Sequence, residues 1–258
     1  MKVLKKTQLQ VESSGRFIML YSETGCGKTT SILQSAPDPI AYIQTEPRAL
    51  KPSLDAANRP KLKLDGYVYE DANDLIQNLS SNEIFKKYTT IVIDSFSHLM
   101  NIGLAHEITD EAFEARSKAE KEKKQLASMT KMTVEGQGVR NQLMFRITNL
   151  LMKYAQAGKI VIVTALLSES PKWNRSLSAA PALAGKEFPT NAPGYFDLIG
   201  KLEDRFKDSK KVFPPMVRFE RPLDDEDAFI CKYTGIGDKR SGPLNITKIL
   251  EMNGWKNG

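Results

Sequence analysis

The stretch YSETGCGKTT, residues 21–30, holds the residues best suited to chemistry. It fits the phosphate-loop pattern G-x-x-x-x-G-K-[ST], except that Ser22 stands in place of the first glycine. Inward-pointing loop amides and the start of a helix form an anion nest. Gly25 and Gly27 reach backbone angles closed to other residues and let the chain approach a phosphate. Lys28 is placed to reach the β- and γ-phosphates, Thr29 to put its hydroxyl on Mg²⁺, and Thr30 to meet the α-phosphate side. The whole span Ser22, Glu23, Thr24, Gly25, Cys26, Gly27, Lys28, Thr29 and Thr30 is the expected nucleotide cradle. Ser22 is compatible with this if its backbone is ordinary. Cys26 reads as a small residue whose place in the loop makes it a candidate for oxidation.

Two carboxylates complete the set. Asp94 ends the apolar run TIVID, where ligands bind in open α/β sheets, and would hold Mg²⁺ through a water. A competing reading makes it the cap of the helix that follows. Glu46 closes IAYIQTE and is the carboxylate available there to orient or deprotonate a water. The expected ligands are therefore a nucleoside triphosphate and Mg²⁺, with water as the nucleophile of a hydrolysis; read alone, the loop would also fit a kinase, a GTPase or a transporter.

These residues must be positioned by alternating strands and helices. RFIMLYS (16–22), IAYIQTE (40–46), YTTIVIDS (88–95) and KIVIVTA (159–165) read as buried strands, and GYVYE (66–70) as a short one. KTTSILQSA and DANDLIQNLSS read as helices. GVRNQLMFRITNLLMKYAQAG reads as a longer helix, with an apolar stripe of Val139, Leu143, Ile147, Leu150, Leu151 and Tyr154 and Gly158 at its end. Beyond Tyr195 strands follow without helices, as an antiparallel extension over about 195–235, then a short helix near NITKILEMNG. DSKK and PLDDED are turn material. Residues 111–138 read as a charge-rich helix running into a small-residue loop, and 168–194 as a long loop rich in Pro, Ala and Ser. The fold class expected is α/β: a mostly parallel sheet flanked by helices with an antiparallel C-terminal part. One domain is expected over 15–258, preceded by a tail at 1–14 that would fray or touch a neighbour.

The composition is that of a soluble protein, 41% hydrophobic and 26% charged over 258 residues. No run reaches the ~18 apolar residues of a membrane helix, and the basic start MKVLKKTQLQ lacks the apolar core of a signal peptide. Cys26 and Cys231 form neither a disulfide framework nor a zinc quartet, which indicates the cytoplasm and no membrane partner. A net charge of +6 admits a polyanion as partner.

Taken together, these segments resemble the RecA-type ATPase core. IAYIQTEPRAL is similar to that family's catalytic-glutamate strand, TIVIDSFSHL to its Walker B strand, and GQGVRNQLMFRITNLLMKYAQAGKIVIVTA to the helix and strand between its two DNA-binding loops. More narrowly, PALAGKEFPTNAPGYFDLIGKLE and CKYTGIGDKRSGPL resemble phage RecA-like single-strand annealing proteins. The likeness spans roughly residues 14 to 250. Thr164-Ala165 stand where RecA proper has Asn-Gln, so Thr164 is the residue expected to sense the γ-phosphate.

The resemblance implies single-stranded DNA as partner, bound by the loops before Val139 and after Thr164. Lys131 and Arg140, with Lys172, Trp173 and Arg175 of SPKWNRS, are the expected contacts, an aromatic face among cations. It also implies self-association as a ring or filament with ATP between subunits, where Lys239 and Arg240 would reach the neighbour's phosphates, and a single-strand-binding protein as a further partner. The function expected is ATP-dependent single-strand binding and annealing for a phage, in the bacterial host's cytoplasm. The alternatives are a helicase-like motor and a nucleotide switch without DNA contact.

Overall fold

The computed structural model describes residues 15–81, 83–110, 132–169, 179–219, 230–231 and 241–252. In chain order the elements are β1 (Arg16–Ser22), α1 (Lys28–Ser35), β2 (Ile40–Gln44), α2 (Lys51–Ala57), β3 (Leu64–Val68), α3 (Ala72–Ser81) and β4 (Thr90–Asp94). A helical turn α4 (Phe96–His98) runs into a π-turn at Leu99–Gly103, followed by α5 (Val134–Gln156) and β5 (Ile160–Glu169). Then come β6 (Ala179–Pro181), α6 (Glu187–Asn191), β7 (Leu198–Lys207), β8 (Lys210–Arg218), β9 (Ile230–Cys231), β10 (Ser241–Pro243) and α7 (Ile246–Met252).

All described strands join one sheet, whose main path runs β10-β8-β7-β1-β5-β4-β2-β3. Along this path every pairing from β7 to β3 is parallel and β8 and β10 add antiparallel strands at the other edge, while off the path β6 pairs antiparallel with β5 and β9 with β7. This is the expected fold class, with one boundary corrected. β7 belongs to the parallel sheet before it turns antiparallel to β8, because Ile18–Tyr21 pair with Leu198–Lys201. Asp197 fixes this register: its amide donates to the Phe17 carbonyl and its carboxylate accepts from the Phe17 amide, both at 2.8 Å.

Side-chain alternation sorts β1 into two apolar layers. Phe17, Met19 and Tyr21 face one core, covered by α3 (Leu75, Ile76, Leu79) and α5 (Met144, Ile147, Leu151). Ile18 and Leu20 face the other, covered by α1 (Ile32, Leu33) and α7 (Ile246, Ile249, Leu250). All seven residues of β1 are buried, which is why RFIMLYS reads as a continuous apolar strand.

Several expectations need correction. α5 starts at Val134, inside the expected loop, because the Thr133 hydroxyl caps it by accepting from the Gly136 amide at 3.0 Å. The buried stripe of α5 begins with Gly136, Arg140 and Asn141, and Val139 is 46% exposed. Residues 168–194 include β6 and α6, so that segment is not irregular throughout. Of DSKK, read as turn material, only Asp208 and Ser209 form the turn, with positive φ of 51° and 61°, while both lysines open β8. The charge-rich stretch 111–131, the tail 1–14 and the turn PLDDED lie outside the described residues.

Close approach at the sheet's lower edge gives a stability prediction. A Cβ on Gly15 would sit 2.0 Å from the Ala155 carbonyl oxygen and 2.4 Å from that of Lys159, backbone atoms that cannot swing aside. Gly66, on the edge strand β3, has nothing within 4 Å of such a Cβ. In urea unfolding, Gly15→Ala should lose about 1–3 kcal/mol or more, whereas Gly66→Ala should be neutral or gain up to about 1 kcal/mol.

Candidate functional site

The phosphate loop joins β1 to α1. Gly25 and Gly27 take φ of 80° and 91°, the left-handed region the pattern requires of them. Gly27 is the N-cap of α1 and offers no side chain to the helix, whose first turn holds no acid, so its amides remain for an anion. Ser22 is the last residue of β1, buried and extended, and its hydroxyl has a use a glycine lacks. Lys28 Nζ donates to Ser22 Oγ at 2.8 Å, to the Ser22 carbonyl at 3.1 Å and to the Glu23 carbonyl at 3.0 Å. Three acceptors satisfy the three ammonium protons in a buried place. Burial holds the Lys28 pKa below its ordinary value, with Asp94 acting against that shift.

A cavity of about 300 Å³ opens above the loop, lined by Thr24, Gly25, Gly27, Lys28, Thr29 and Thr30 on one side and Glu46, Arg48 and Asp94 on the other. It continues past Ala49, Leu50 and Ser53 at the start of α2. Ser22, Glu23 and Cys26 do not line it. Ser22 and Glu23 act instead as the acceptors of Lys28, and the Cys26 thiol meets Asp204 of the β7–β8 hairpin, which lies against the loop. Lys211 of the hairpin donates to the Gly25 carbonyl at 3.0 Å and pairs with Asp204 at 2.7 Å. The Phe213 ring stands so close that a Cβ on Gly27 would be 2.9 Å from its Cε2.

Asp94 is the focus of the cavity. β4 lies between β2 and β5, with Asp94 opposite Gln44 and Ile93 opposite Val163, which brings Thr164 alongside the carboxylate. Oδ2 accepts from Thr29 Oγ1 and from the Tyr42 phenol, each at 2.5 Å, and Oδ1 accepts from Thr164 Oγ1. Asp94 does not cap the helix after β4. Ser95 does, its hydroxyl accepting from the His98 amide at 3.2 Å. The ends of β2 and β4 are stitched together: the Thr45 amide donates to the Asp94 carbonyl at 3.0 Å, and the Ser95 amide to Thr45 Oγ1 at 2.7 Å. This brings Glu46 to the cavity, where Oε1 accepts from Ser95 Oγ at 3.0 Å and Oε2 pairs with Arg48 at 3.2 Å. Glu46 is 19% exposed and so still meets solvent.

A threonine hydroxyl beside one carboxylate is the kind of donor set Mg²⁺ takes: hard oxygens, few from protein, the rest from water and phosphate. Among the described residues no cluster of three His, Cys, Asp or Glu side chains offers a denser metal cage.

A family model described as an AAA domain (AAA_24) matches residues 14–221. The chain belongs to that family. Among solved structures, this AAA domain matches the flagellar accessory protein FlaH from Methanocaldococcus jannaschii at 14% identity and a TM-score of 0.37, over 79% of this chain and 77% of that one. No curated protein sequence matches. None of the described helices of the AAA domain is long and apolar enough to cross a membrane.

The structure thus brings Lys28, Thr29, Glu46 and Asp94 of the AAA domain to one cavity, while Thr164 is fully buried behind it and reaches the site through its hydrogen bond to Asp94. Arg140 is elsewhere and is not the exposed cation expected: it is 8% exposed on α5, burial lowers its pKa, and its Nε meets no hydrogen-bond partner. Lys131, Lys172, Trp173, Arg175, Lys239 and Arg240 lie outside the described residues. Sequence reasoning missed Tyr42, and it expected the antiparallel extension beyond Tyr195 without placing the β7–β8 hairpin against the phosphate loop. The only signal for Tyr42 was its strand position two residues before Gln44, on the same face.

Cys26 also differs from expectation. It is 5% exposed, and burial first, then a hydrogen bond to Asp204, push its thiol pKa up to about 11. A thiol so far from its thiolate is a poor nucleophile at neutral pH. Site-resolved mass spectrometry after iodoacetamide at pH 7.5 should find Cys26 alkylated at least about tenfold more slowly in the folded protein than in urea.

Proposed function

We propose that this AAA domain binds Mg-ATP in the Gly25–Thr30 cradle, hydrolyses it, and uses the cycle to control a grip on single-stranded DNA. The observation that carries the nucleotide part is the convergence of Lys28, Thr29, Asp94 and Glu46 on one cavity over a loop with two left-handed glycines. Bound Mg²⁺ would neutralise phosphate charge, with Thr29 and Asp94 holding it. Lys28 leaves Ser22 and Glu23 to meet phosphate oxygens, exchanging neutral acceptors for anionic ones. Glu46 takes the proton of the attacking water, positioned through Ser95 and Arg48. Thr164, bonded to the same carboxylate as Thr29, carries the state of the phosphates to β5 and the segment beyond it.

Single-strand binding rests on the resemblance to RecA-like annealing proteins, the net charge of +6 and the Lys172, Trp173 and Arg175 grouping beyond β5. Annealing of complementary strands, a phage origin and assembly with ATP between copies belong to the same reading.

The test is ATP hydrolysis with and without an oligo-dT strand, alongside nucleotide binding. Lys28→Ala should lose nucleotide affinity. Glu46→Gln should keep ATP binding and hydrolyse about 10²–10⁴-fold more slowly. Wild type should speed up with oligo-dT and lose that response as salt rises. Unchanged hydrolysis in Glu46→Gln refutes the base, and no response to oligo-dT with no mobility shift at low salt refutes the DNA reading.

A further inference from the structure

Tyr42 lies in the β2 strand, 3% exposed, with its ring in the apolar layer that also holds Ile40 and Val92. Its register partner on β4 is Val92, two residues before Asp94. Two residues along a strand are about 6–7 Å, a span the tyrosine ring bridges to set its hydroxyl on Asp94 Oδ2 at 2.5 Å. Phenylalanine would fill the same apolar space, so the layer does not call for the hydroxyl. A buried phenol needs a partner, and the one it has is the carboxylate on which Thr29 and Thr164 also converge.

We propose that Tyr42 is a positioning residue for the metal site: its phenol locks the Asp94 carboxylate in the orientation that meets Mg²⁺ on Thr29. This rests on the reading of Asp94 and Thr29 as the metal-holding pair. The three hydroxyls have different duties. Thr29 gives its oxygen to the ion when nucleotide arrives. Thr164 sits on the strand that leads away from the phosphates. Tyr42 lines the cavity from the apolar layer of the sheet, donates its proton to Oδ2, and stays in place whether or not nucleotide is bound. A carboxylate fixed in this way keeps its remaining lone pairs aimed at the ion's water shell, the work that outer partners do at metal sites generally. Without the phenol, Thr164 still holds Oδ1, but Oδ2 keeps only the hydroxyl that the metal recruits.

The test is Mg²⁺ titration of fluorescent-ADP binding by wild type and Tyr42→Phe, with each affinity also measured in EDTA. In Tyr42→Phe the Mg²⁺ midpoint should rise about 10-fold or more, while ADP affinity in EDTA stays that of wild type. In an Asp94→Asn background the added Tyr42→Phe should not move the midpoint further, since the phenol acts through the carboxylate. Near-UV circular dichroism and thermal melts check that Tyr42→Phe is folded. A wild-type midpoint in folded Tyr42→Phe overturns the proposal, including when the melting temperature falls, because that result leaves Tyr42 a purely structural role. Wild-type ADP affinity that ignores Mg²⁺ overturns instead the metal reading on which the proposal stands.

Discussion

One carboxylate organises the site. Asp94 accepts hydroxyls from Thr29 on α1, Tyr42 on β2 and Thr164 on β5, so the phosphate loop and three neighbouring strands share one anchor at the carboxyl edge of the sheet. The strand order makes this possible. With β5 between β1 and β4, and β2 on the other side of β4, Asp94 has a neighbour on each flank and the loop in front. A half-buried carboxylate is costly to leave short of donors, and here three donors are supplied. The ammonium of Lys28 is satisfied by the same logic of opposite sign, through Ser22 and Glu23. The site is therefore internally bonded, and any ligand it takes must offer better partners than those already present.

The loop is also held from behind. Lys211 grips the Gly25 carbonyl and Phe213 closes over Gly27, both from the β7–β8 hairpin that continues the sheet past β1. The C-terminal strands thus form the outer wall of the nucleotide loop. Ser22 belongs to the same construction, since its hydroxyl carries Lys28 while its extended backbone ends β1.

Much of this was legible in the sequence, and the limits have physical causes. The β1, β4 and β5 strands were plain because they are buried on both faces and read apolar throughout. Gly25 and Gly27 were plain because a phosphate loop requires left-handed angles there. The α2 helix was not seen: KPSLDAA is short, has Pro52 in its first turn, and buries only Ala57. The partnership of β7 with β1 depends on contacts about 180 residues apart, which periodicity does not encode. Arg140 has the charge of a surface residue, yet the α5 stripe continues through Gly136 and Asn141 and carries it inside. Tyr42 read as one more apolar strand residue, and only the three-dimensional register puts its hydroxyl on Asp94.

The most direct measurement is a crystal structure with Mg²⁺ and a non-hydrolysable ATP analogue. It should place the phosphates over Gly25–Thr30, with Lys28 turned from Ser22 to the phosphate oxygens, and the ion on Thr29 with Asp94 still bonded to Tyr42. An analogue bound away from this loop, or bound in it with Lys28 still on Ser22 and no ion between Thr29 and Asp94, would contradict the Asp94-centred site.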